Sequence, residues 1–246
     1  MTECIHGFEG TLCDVCFPKK APEPVRRPAT SRSRPSAPTS ARGGSQPTQL
    51  RTADLRVYHF THVRNLPAII SDGELRANDT PVVDLSSELA RELRGTAEVA
   101  PGRPVSDFIA FSLAPDSVTW DELRRGAAEP RWSPAARASV PADFVVLVTT
   151  VKALGPEAVI ADGDAAGTYT RFAVTAEDAD RMLARLHGDA DARSAAEALA
   201  PLAVDFSSVQ LIGVAHDPAR DDVRAMLTST GFAPKVAVYP PWFATE

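Results

Sequence analysis

The sequence predicts an α+β fold, in which a mixed or antiparallel sheet carries short helices. Strand-like segments outnumber long helix-like segments, and the gaps between them do not support a regular βαβ repeat. Periodic hydrophobicity begins near Asp54, and the ~190 residues that follow are enough for one hydrophobic core. We therefore predict one folded domain over residues 54–246.

Five strands are predicted in this domain. The segment 55–60 alternates in the manner of a strand. A short buried strand is predicted over 107–113, and a stronger one, rich in β-branched residues, over 143–151. The last two are predicted over 208–215 and 235–240.

Three helices are predicted between these strands. The first begins at Asn65, a residue type favoured at N-caps, has Pro67 in its first turn and stops at Gly73. The second begins with a capping-box-like T-A-E-D and runs over about 175–186. The third runs over about 217–229 and places its apolar residues on one face.

All three cysteines lie within the first 16 residues, where they suggest a metal site. Cys4 and His6 form a C-x-H pair, and Cys13 and Cys16 form a C-x-x-C pair. Three thiolates and one imidazole satisfy tetrahedral Zn²⁺, and a closed set of four ligands is typical of a structural site. We therefore predict a zinc-binding segment over residues 1–17. The alternative is an unfolded N-terminus with three free thiols.

A linker is predicted over residues 18–53. Pro, Ser, Thr, Ala and Arg dominate it, and it has no hydrophobic periodicity, so we expect it to be disordered. Between residues 17 and 53 eight basic residues face one acidic residue, a net charge of +7. The segment is interpreted as a flexible spacer, as an arm that attracts nucleic acid, or as both.

The composition also excludes several classes of protein. The whole chain carries a net charge of -6, which taken alone argues against nucleic acid, but the residues from 54 onward carry -10 and conceal the basic linker. No run of ~18 apolar residues is present, so we expect no membrane span. The N-terminus lacks the pattern of a signal peptide, and we expect a cytoplasmic protein.

The segment Tyr58-His59-Phe60-Thr61-His62 carries the first chemical signal. Its polar His-x-Thr-His cluster is predicted to lie where a strand gives way to a helix. Backbone amides at such a junction suit an anion such as a pyrophosphate, and an imidazole beside them can bind a ribose hydroxyl. The alternative is that His59 and His62 are ordinary strand-end histidines.

The stretch from Tyr58 to Gly73 resembles the opening motif of the DarT-type ADP-ribosyltransferases, toxins that modify single-stranded DNA. That motif runs Tyr-His-Ile-Thr-His, then Asn-Leu, an Ile-rich turn and Gly, and the match has no gap. The resemblance implies that His59, Phe60 and Thr61 lie against NAD. It also implies that Asn65 supports their loop.

A second segment, Ala195-Ala196-Glu197-Ala198-Leu199-Ala200, is similar to the family's Ala-Glu-x-Leu-Val stretch. The resemblance implies that Glu197 is the catalytic residue. Cleavage of the nicotinamide–ribose bond passes through an oxocarbenium-like state, which a carboxylate stabilises. The alternative for a glutamate in an Ala-rich stretch is a solvated helix residue.

A third segment, residues 105–117, is similar to the family's Asp-Tyr-Val-Pro-Phe-Tyr-Phe-x-Pro-Arg-Ser-Pro element, whose arginine is implied to be catalytic. Here that position is Asp116, which cannot neutralise a pyrophosphate. Three outcomes stay open. Asp116 accepts the proton of a different base, a nearby arginine such as Arg171 substitutes, or the domain is inactive.

The resemblance covers roughly residues 57–243 and implies an ADP-ribosyltransferase-like fold. It implies a toxin or phage-defence effector that transfers ADP-ribose from NAD to a base in single-stranded DNA, with a macrodomain-type antitoxin as a partner. The alternatives are an impaired domain that binds nucleotide or nucleic acid, and a transferase acting on RNA or protein. Three tryptophans are candidates for base stacking or for packing: Trp120, Trp132 and Trp242.

Overall fold

The computed structural model describes residues 52–245, and an eight-stranded sheet lies at the centre of this part of the chain. The strands are β1 (Arg56–His62), β2 (Glu74–Arg76), β3 (Glu98–Ala100), β4 (Arg103–Pro104), β5 (Phe108–Ser112), β6 (Phe144–Thr150), β7 (Val159–Ala161), β8 (Phe172–Ala173), β9 (Glu197–Pro201), β10 (Ala203–Asp205), β11 (Leu211–Val214) and β12 (Lys235–Val238). The helices are α1 (Leu66–Asp72), α2 (Glu88–Thr96), α3 (Val118–Arg124), α4 (Pro134–Ala138), α5 (Ala176–His187), α6 (Ala190–Ala195) and α7 (Asp217–Leu227).

The large sheet is mixed, as the sequence predicts. Its strand order is β12-β11-β6-β1-β5-β9-β7-β8, and its pairings are antiparallel except for β11 with β12. Helix α7 connects those two parallel strands, which need a crossover of this kind. Two small ladders, β10 with β2 and β3 with β4, stand apart from the large sheet.

The five predicted strands are all present, and each is shorter than predicted or shifted by a few residues at its ends. Strand β6 is buried on both faces, since Phe144 and Val146 belong to one hydrophobic cluster and Val145 and Leu147 to another. A strand enclosed on both sides reads as a continuous apolar run, which explains its strong sequence signal.

The predicted helices correspond to α1, α5 and α7, whose starts and caps follow local signals. Gly73 ends α1 with φ 73°, in the left-handed region where glycine carries no steric penalty. Thr175 caps α5 by accepting a hydrogen bond from the amide of Asp178. Asn65 occupies the N-cap position of α1, but its side chain makes no cap hydrogen bond. The predicted N-cap position is therefore confirmed, although the side chain of Asn65 is bonded elsewhere.

The tryptophans are mainly packing residues. Trp120 is fully buried and Trp132 is 7% exposed, so the packing interpretation holds for both. Trp242 is half-buried, and its ring lies 2.6 Å from the point where a Cβ on Gly213 would stand. Only glycine allows this approach, so Gly213 of β11 positions the C-terminal segment against the sheet.

Some predictions concern residues that the structure does not describe. The zinc-binding segment and most of the linker lie before residue 52, and the domain boundaries stay predictions. Thr52–Asp54 form a short 3-10 turn, so the last two residues assigned to the linker belong to a regular element. Between residues 52 and 245, no helix combines the length and apolar character needed to cross a bilayer.

Candidate active site

The central sheet changes its pairing beside the predicted NAD-binding residues. Strand β1 pairs with β6 at seven positions, from Arg56 to His62. It pairs with β5 at one position, Tyr58 with Ser112. Beyond that pair, β1 and β5 form no further ladder within the described residues. The ring of His59 contacts β5 there instead. We call the region beside His59, where β1 and β5 are no longer paired, the β1–β5 opening.

His59 is held as a neutral imidazole at this opening. Its Nδ1 lies 3.0 Å from the carbonyl oxygen of Ala110, which fixes Nδ1–H as the donor. Burial lowers the pKa of His59, and this hydrogen bond opposes that effect without reversing it. The ring also packs against Phe111, with 5.4 Å between centroids. Neutral His59 therefore has Nε2 as its remaining acceptor, which suits a hydroxyl group.

The residues of the His-x-Thr-His motif form the last four positions of β1, and a short 3-10 turn begins at Val63, so the motif lies where the strand gives way to a helix, as predicted. Backbone groups of these residues take part in the pairing with β6, and the anion site stays a prediction. Strand alternation also separates the side chains. Phe60 stacks on Trp120 with 4.7 Å between centroids, on the face opposite His59. His62 ends the strand, and its Nδ1 accepts from the amide of Arg64, so for His62 the strand-end interpretation holds.

Asn65 connects β1 to the segment that follows β2. Its Nδ2 donates to Oγ1 of Thr61 at 3.2 Å and to the carbonyl oxygen of Val83 at 3.0 Å. Its Oδ1 accepts from the amide of Val83 at 2.7 Å. Asn65 is 5% exposed, so these bonds are shielded from water. The side chain expected to support the motif thus fixes the position of Thr61.

Glu197 is the first residue of β9 and lies in the middle of the sheet. It pairs with Ser112 of β5 on one side and with Ala161 of β7 on the other. Ser112 in turn pairs with Tyr58, so these four residues form a row on one face across four strands. Glu197 is only 8% exposed. The alternative interpretation, a solvated helix residue, is therefore wrong.

Burial, charged side chains and a backbone amide all act on the pKa of the Glu197 carboxyl group. Burial raises the pKa of this carboxyl group above its ordinary value, and the charge of Asp164 adds to the increase. Arg94, the backbone amide of Ala165 and Arg131 act in the opposite direction without reversing it. That amide donates to Oε2 of Glu197 at 3.1 Å. A buried carboxylate with a raised pKa is typical of functional sites.

Two arginines near Glu197 were missed by the sequence reasoning. Arg94 of α2 lies with its Nη2 3.4 Å and 3.3 Å from the carbonyl oxygens of Val105 and Phe108, at the start of β5. Arg131 forms an ion pair with Asp164 at 2.5 Å. Neither arginine lies in a recognisable motif, and only the folded chain brings them near Glu197.

The predictions for Asp116 and Arg171 have different outcomes. Asp116 is exposed in the turn after β5, and its charge contributes to the raised pKa of Tyr58, which burial mainly causes. Its catalytic role stays a prediction. Arg171 pairs with Asp162 at 2.7 Å, so its guanidinium is already engaged. Arg94 and Arg131, rather than Arg171, bring positive charge to Glu197.

A cleft of about 940 Å³ lies beside the end of β1, away from Glu197. Val83, Trp132 and three arginines are among the residues that line it: Arg64, Arg91 and Arg137. Glu197 does not line this cleft. We therefore place the candidate active site at the β1–β5 opening, near His59 and Glu197, rather than in this cleft.

The predicted zinc ligands lie outside the described residues. Cys4, His6, Cys13 and Cys16 all precede residue 52. Within residues 52–245, no group of three or more His, Cys, Asp or Glu side chains is placed to hold a metal ion. The zinc site stays a prediction.

Comparison with known proteins finds relatives that match most of this chain. A DNA ADP-ribosyl transferase of Mycobacterium tuberculosis is 28% identical over 229 residues, which cover 85% of this chain and 97% of the relative. The structure of Thermus sp. 2.9 DarT in complex with ADP-ribosylated single-stranded DNA has a TM-score of 0.66 and 20% identity, covering 78% of this chain and 97% of that chain. The same Thermus protein in complex with NAD⁺ gives a TM-score of 0.62 and 21% identity, covering 78% of this chain and 98% of that chain. These two structures share the fold.

The sequence itself establishes the family. The family model described as DarT, the ssDNA thymidine ADP-ribosyltransferase, matches residues 58–244. This range contains β1 from Tyr58 onward, Glu197 and both arginines that act on Glu197. The chain therefore belongs to the DarT family of ssDNA thymidine ADP-ribosyltransferases.

Proposed function

We propose that this chain transfers ADP-ribose from NAD to a base in single-stranded DNA. The observation that carries the proposal is Glu197, a buried carboxylate fixed at Oε2 by the amide of Ala165, in one row with Ser112 and Tyr58 beside the β1–β5 opening. Strand alternation places this row on the face of the sheet opposite to His59, so the two residues reach the opening from opposite sides. Family membership supports the same activity.

The residues of the opening fit NAD as a co-substrate. Neutral His59 offers Nε2 as an acceptor for a ribose hydroxyl, because its Nδ1–H is bonded to Ala110. Arg94 brings positive charge near Glu197, and this charge would attract the anionic pyrophosphate of NAD. NAD supplies the ADP-ribosyl group, with nicotinamide as the leaving group.

Glu197 has a defined role in the transfer. As a carboxylate it holds a ribose hydroxyl and stabilises the positive charge that develops while the bond from the ribose carbon to nicotinamide breaks. The electron pair of that bond leaves with nicotinamide. A nucleophilic atom of the base then bonds to the same ribose carbon, and its proton passes to a carboxylate or to water. Asp116 is the second carboxylate proposed for this proton transfer.

The direct test incubates the full chain with NAD and single-stranded oligonucleotides of each base composition. A mass gain of one ADP-ribose on an oligonucleotide is expected, and it should disappear in Glu197→Ala. Failure to modify DNA while NAD binds would falsify the proposal. Parallel incubations with RNA and protein show whether the transferase acts on another acceptor.

The biological role proposed is a toxin or phage-defence effector, with a macrodomain-type antitoxin as its partner. Expression in a host without that partner is expected to arrest growth, and Glu197→Ala should relieve the arrest. The competing function is a module that binds nucleotide or nucleic acid without transfer. Asp116, an acid where the family resemblance implies an arginine, is the feature that favours it. Growth without arrest, together with NAD or DNA binding, would support that module.

The proposed organisation adds two segments to the transferase domain of residues 54–246. Residues 1–17 would bind structural Zn²⁺ through three cysteines and one histidine, and residues 18–53 would form a basic linker that attracts nucleic acid. Elemental analysis of the purified full chain tests the first point. One zinc per chain is expected, and its loss is expected when Cys13 and Cys16 are both replaced by Ser.

A further inference from the structure

The segment between β7 and β8, residues 162–171, forms a closed loop around one aspartate, and we call it the Asp164 loop. The carbonyl oxygen of Asp164 accepts from the amide of Gly167 at 2.8 Å and from Oγ1 of Thr170 at 2.5 Å. Its Oδ1 accepts from the amide of Ala166 at 2.9 Å. The loop is therefore closed by bonds to the backbone carbonyl of Asp164 and by one bond to its carboxylate.

This loop contacts the proposed catalytic carboxylate directly. The amide of Ala165 donates to Oε2 of Glu197, and Ala165 itself is 1% exposed. Within residues 52–245, no hydrogen bond is made to Oε1 of Glu197. One oxygen is thus fixed by the loop, while the other is left for a substrate hydroxyl.

An ion pair holds the loop from outside. Nη1 of Arg131 lies 2.5 Å from Oδ2 of Asp164, and its Nε lies 3.3 Å from Oε2 of Glu122 on α3. Glu122 also accepts from Nε1 of Trp132, whose side chain is buried. The side chains of Arg131 and Asp164 are 38% and 37% exposed. Ion pairs this exposed contribute little to global stability, so loss of the pair should release the Asp164 loop from α3 without unfolding the domain.

We infer that Arg131 and Asp164 are positioning residues, which hold the Asp164 loop so that the amide of Ala165 orients Glu197 for transfer. The inference rests on the proposed transferase function. It adds two residues that act through Glu197 without touching the reacting atoms. Loss of the pair leaves the Ala165 amide poorly placed, and a displacement of a catalytic group by about 1 Å lowers turnover about 100-fold.

The charges around Glu197 provide a readout that a purely structural role would not change. Three charged groups act on it, Arg94 from α2, Asp164 from its loop and Arg131 from the segment after α3. Asp164 raises the pKa of Glu197 and Arg131 lowers it. Removal of one charge should therefore shift this pKa in the direction opposite to removal of the other.

The experiment compares the full-length wild type with Arg131→Gln and Asp164→Asn. Each variant is expected to lose about 10- to 100-fold in kcat, with a change of less than about 3-fold in KM for NAD, because Glu197 is misoriented while NAD still binds. If transfer needs ionised Glu197, the acidic limb of the pH–rate profile should move to higher pH in Arg131→Gln and to lower pH in Asp164→Asn. Arg131→Lys keeps the ion pair and should retain more activity than Arg131→Gln.

A matched control comes from α7. Arg220→Gln removes an exposed ion pair with Asp217, whose atoms lie 2.6 Å apart, and should leave kcat and the pH profile unchanged. Thermal melting establishes that each variant is folded. The ¹³C signal of the Glu197 carboxyl group, identified by its absence in Glu197→Gln, reports the pKa without any need for activity.

The outcomes separate the two proposals. A wild type that transfers nothing to DNA overturns the proposed function. A wild type that does transfer, with both variants unchanged in kcat and in the titration of Glu197, overturns this inference alone. Variants that raise KM for NAD with kcat intact also contradict it, since they would place Arg131 and Asp164 in NAD binding.

Discussion

His59 bridges the opening in the sheet by donating from Nδ1 to the carbonyl oxygen of Ala110, 3.0 Å away. The bond spans β1 and β5 beyond the point where their backbone pairing ends. It selects one tautomer, and burial keeps the ring neutral by lowering its pKa. A histidine in this state is a fixed acceptor rather than a proton shuttle.

The first prediction follows from that state. His59→Ala removes the Nε2 acceptor proposed for a ribose hydroxyl, and should weaken NAD binding by about 3- to 10-fold, the value of one neutral hydrogen bond. Isothermal titration calorimetry with NAD measures the change. His187→Ala, at the exposed end of α5, serves as the control and should bind NAD as the wild type does. Unchanged binding in His59→Ala would remove His59 from the site.

The second prediction concerns Glu197 and activity. Glu197→Gln keeps the size of the side chain and an acceptor for the amide of Ala165, but removes the negative charge. Loss of a group that stabilises developing charge lowers kcat by about 10²- to 10³-fold, while the Kd for NAD should change little. Single-turnover transfer to an oligonucleotide measures the first quantity. Retention of full activity would show that another residue is catalytic.

The third prediction concerns the free energy of unfolding of the same variant. Burial raises the pKa of Glu197 above its ordinary value of 4.5, so the folded state disfavours the ionised form. This effect on the free energy of unfolding is absent below pH 4.5. It grows as the pH rises through the pKa of Glu197 in the folded protein. Glu197→Gln should therefore unfold at a higher urea concentration than the wild type at about pH 8. Near pH 4 the two proteins should unfold together. An equal difference at both pH values would contradict the assignment.

The fold could be predicted where burial or a turn leaves a recognisable pattern in the sequence. β6 is enclosed on both faces and reads as a β-branched run, and Gly73 marks the end of α1. β9 escaped prediction because its sequence, E-A-L-A-P, is helix-like in isolation. Pairing with β5 and β7 overrides that preference.

The site was predictable only in part, for a similar reason. His59 and Glu197 are candidates through a resemblance of motifs, which depends on local sequence. Arg94 and Arg131 act through tertiary placement, on α2 and after α3, where no motif surrounds them. The contact of Ala165 with Glu197 involves a backbone amide, which any residue type provides. Such a contact leaves no signal in a single sequence.

The fourth prediction tests Arg94. Arg94→Gln removes a charge that lowers the pKa of Glu197 and weakens the contacts with the carbonyl groups of Val105 and Phe108. Because hydrogen bonds to charged groups are strong, kcat/KM should fall by about 10- to 100-fold. Steady-state kinetics with NAD measures this value, and Arg224→Gln on the exposed face of α7 is the control. An equal loss in both variants would indicate a general effect of charge.

The fifth prediction tests the basic linker within the full chain. Four arginines between residues 26 and 34 are replaced by glutamine in one variant: Arg26, Arg27, Arg32 and Arg34. Each cation that contacts a single strand releases counterions and contributes about 0.7 to the slope of log K against log salt. If all four contact the strand, the slope should decrease in magnitude by about 3. Fluorescence anisotropy of a labelled oligonucleotide between low and moderate salt measures it.

A matched control keeps the charge and changes the same stretch. It replaces four hydroxyl residues of the linker by glutamine: Ser31, Ser33, Ser36 and Thr39. This variant should bind DNA with the slope of the wild type, because its net charge is unchanged. The residues from 54 onward carry a net charge of -10 and repel a polyanion at long range, so the linker would have to supply much of the attraction. A slope unaffected by loss of the arginines would instead place the attraction in the transferase domain, where Arg64, Arg91 and Arg137 line the large cleft.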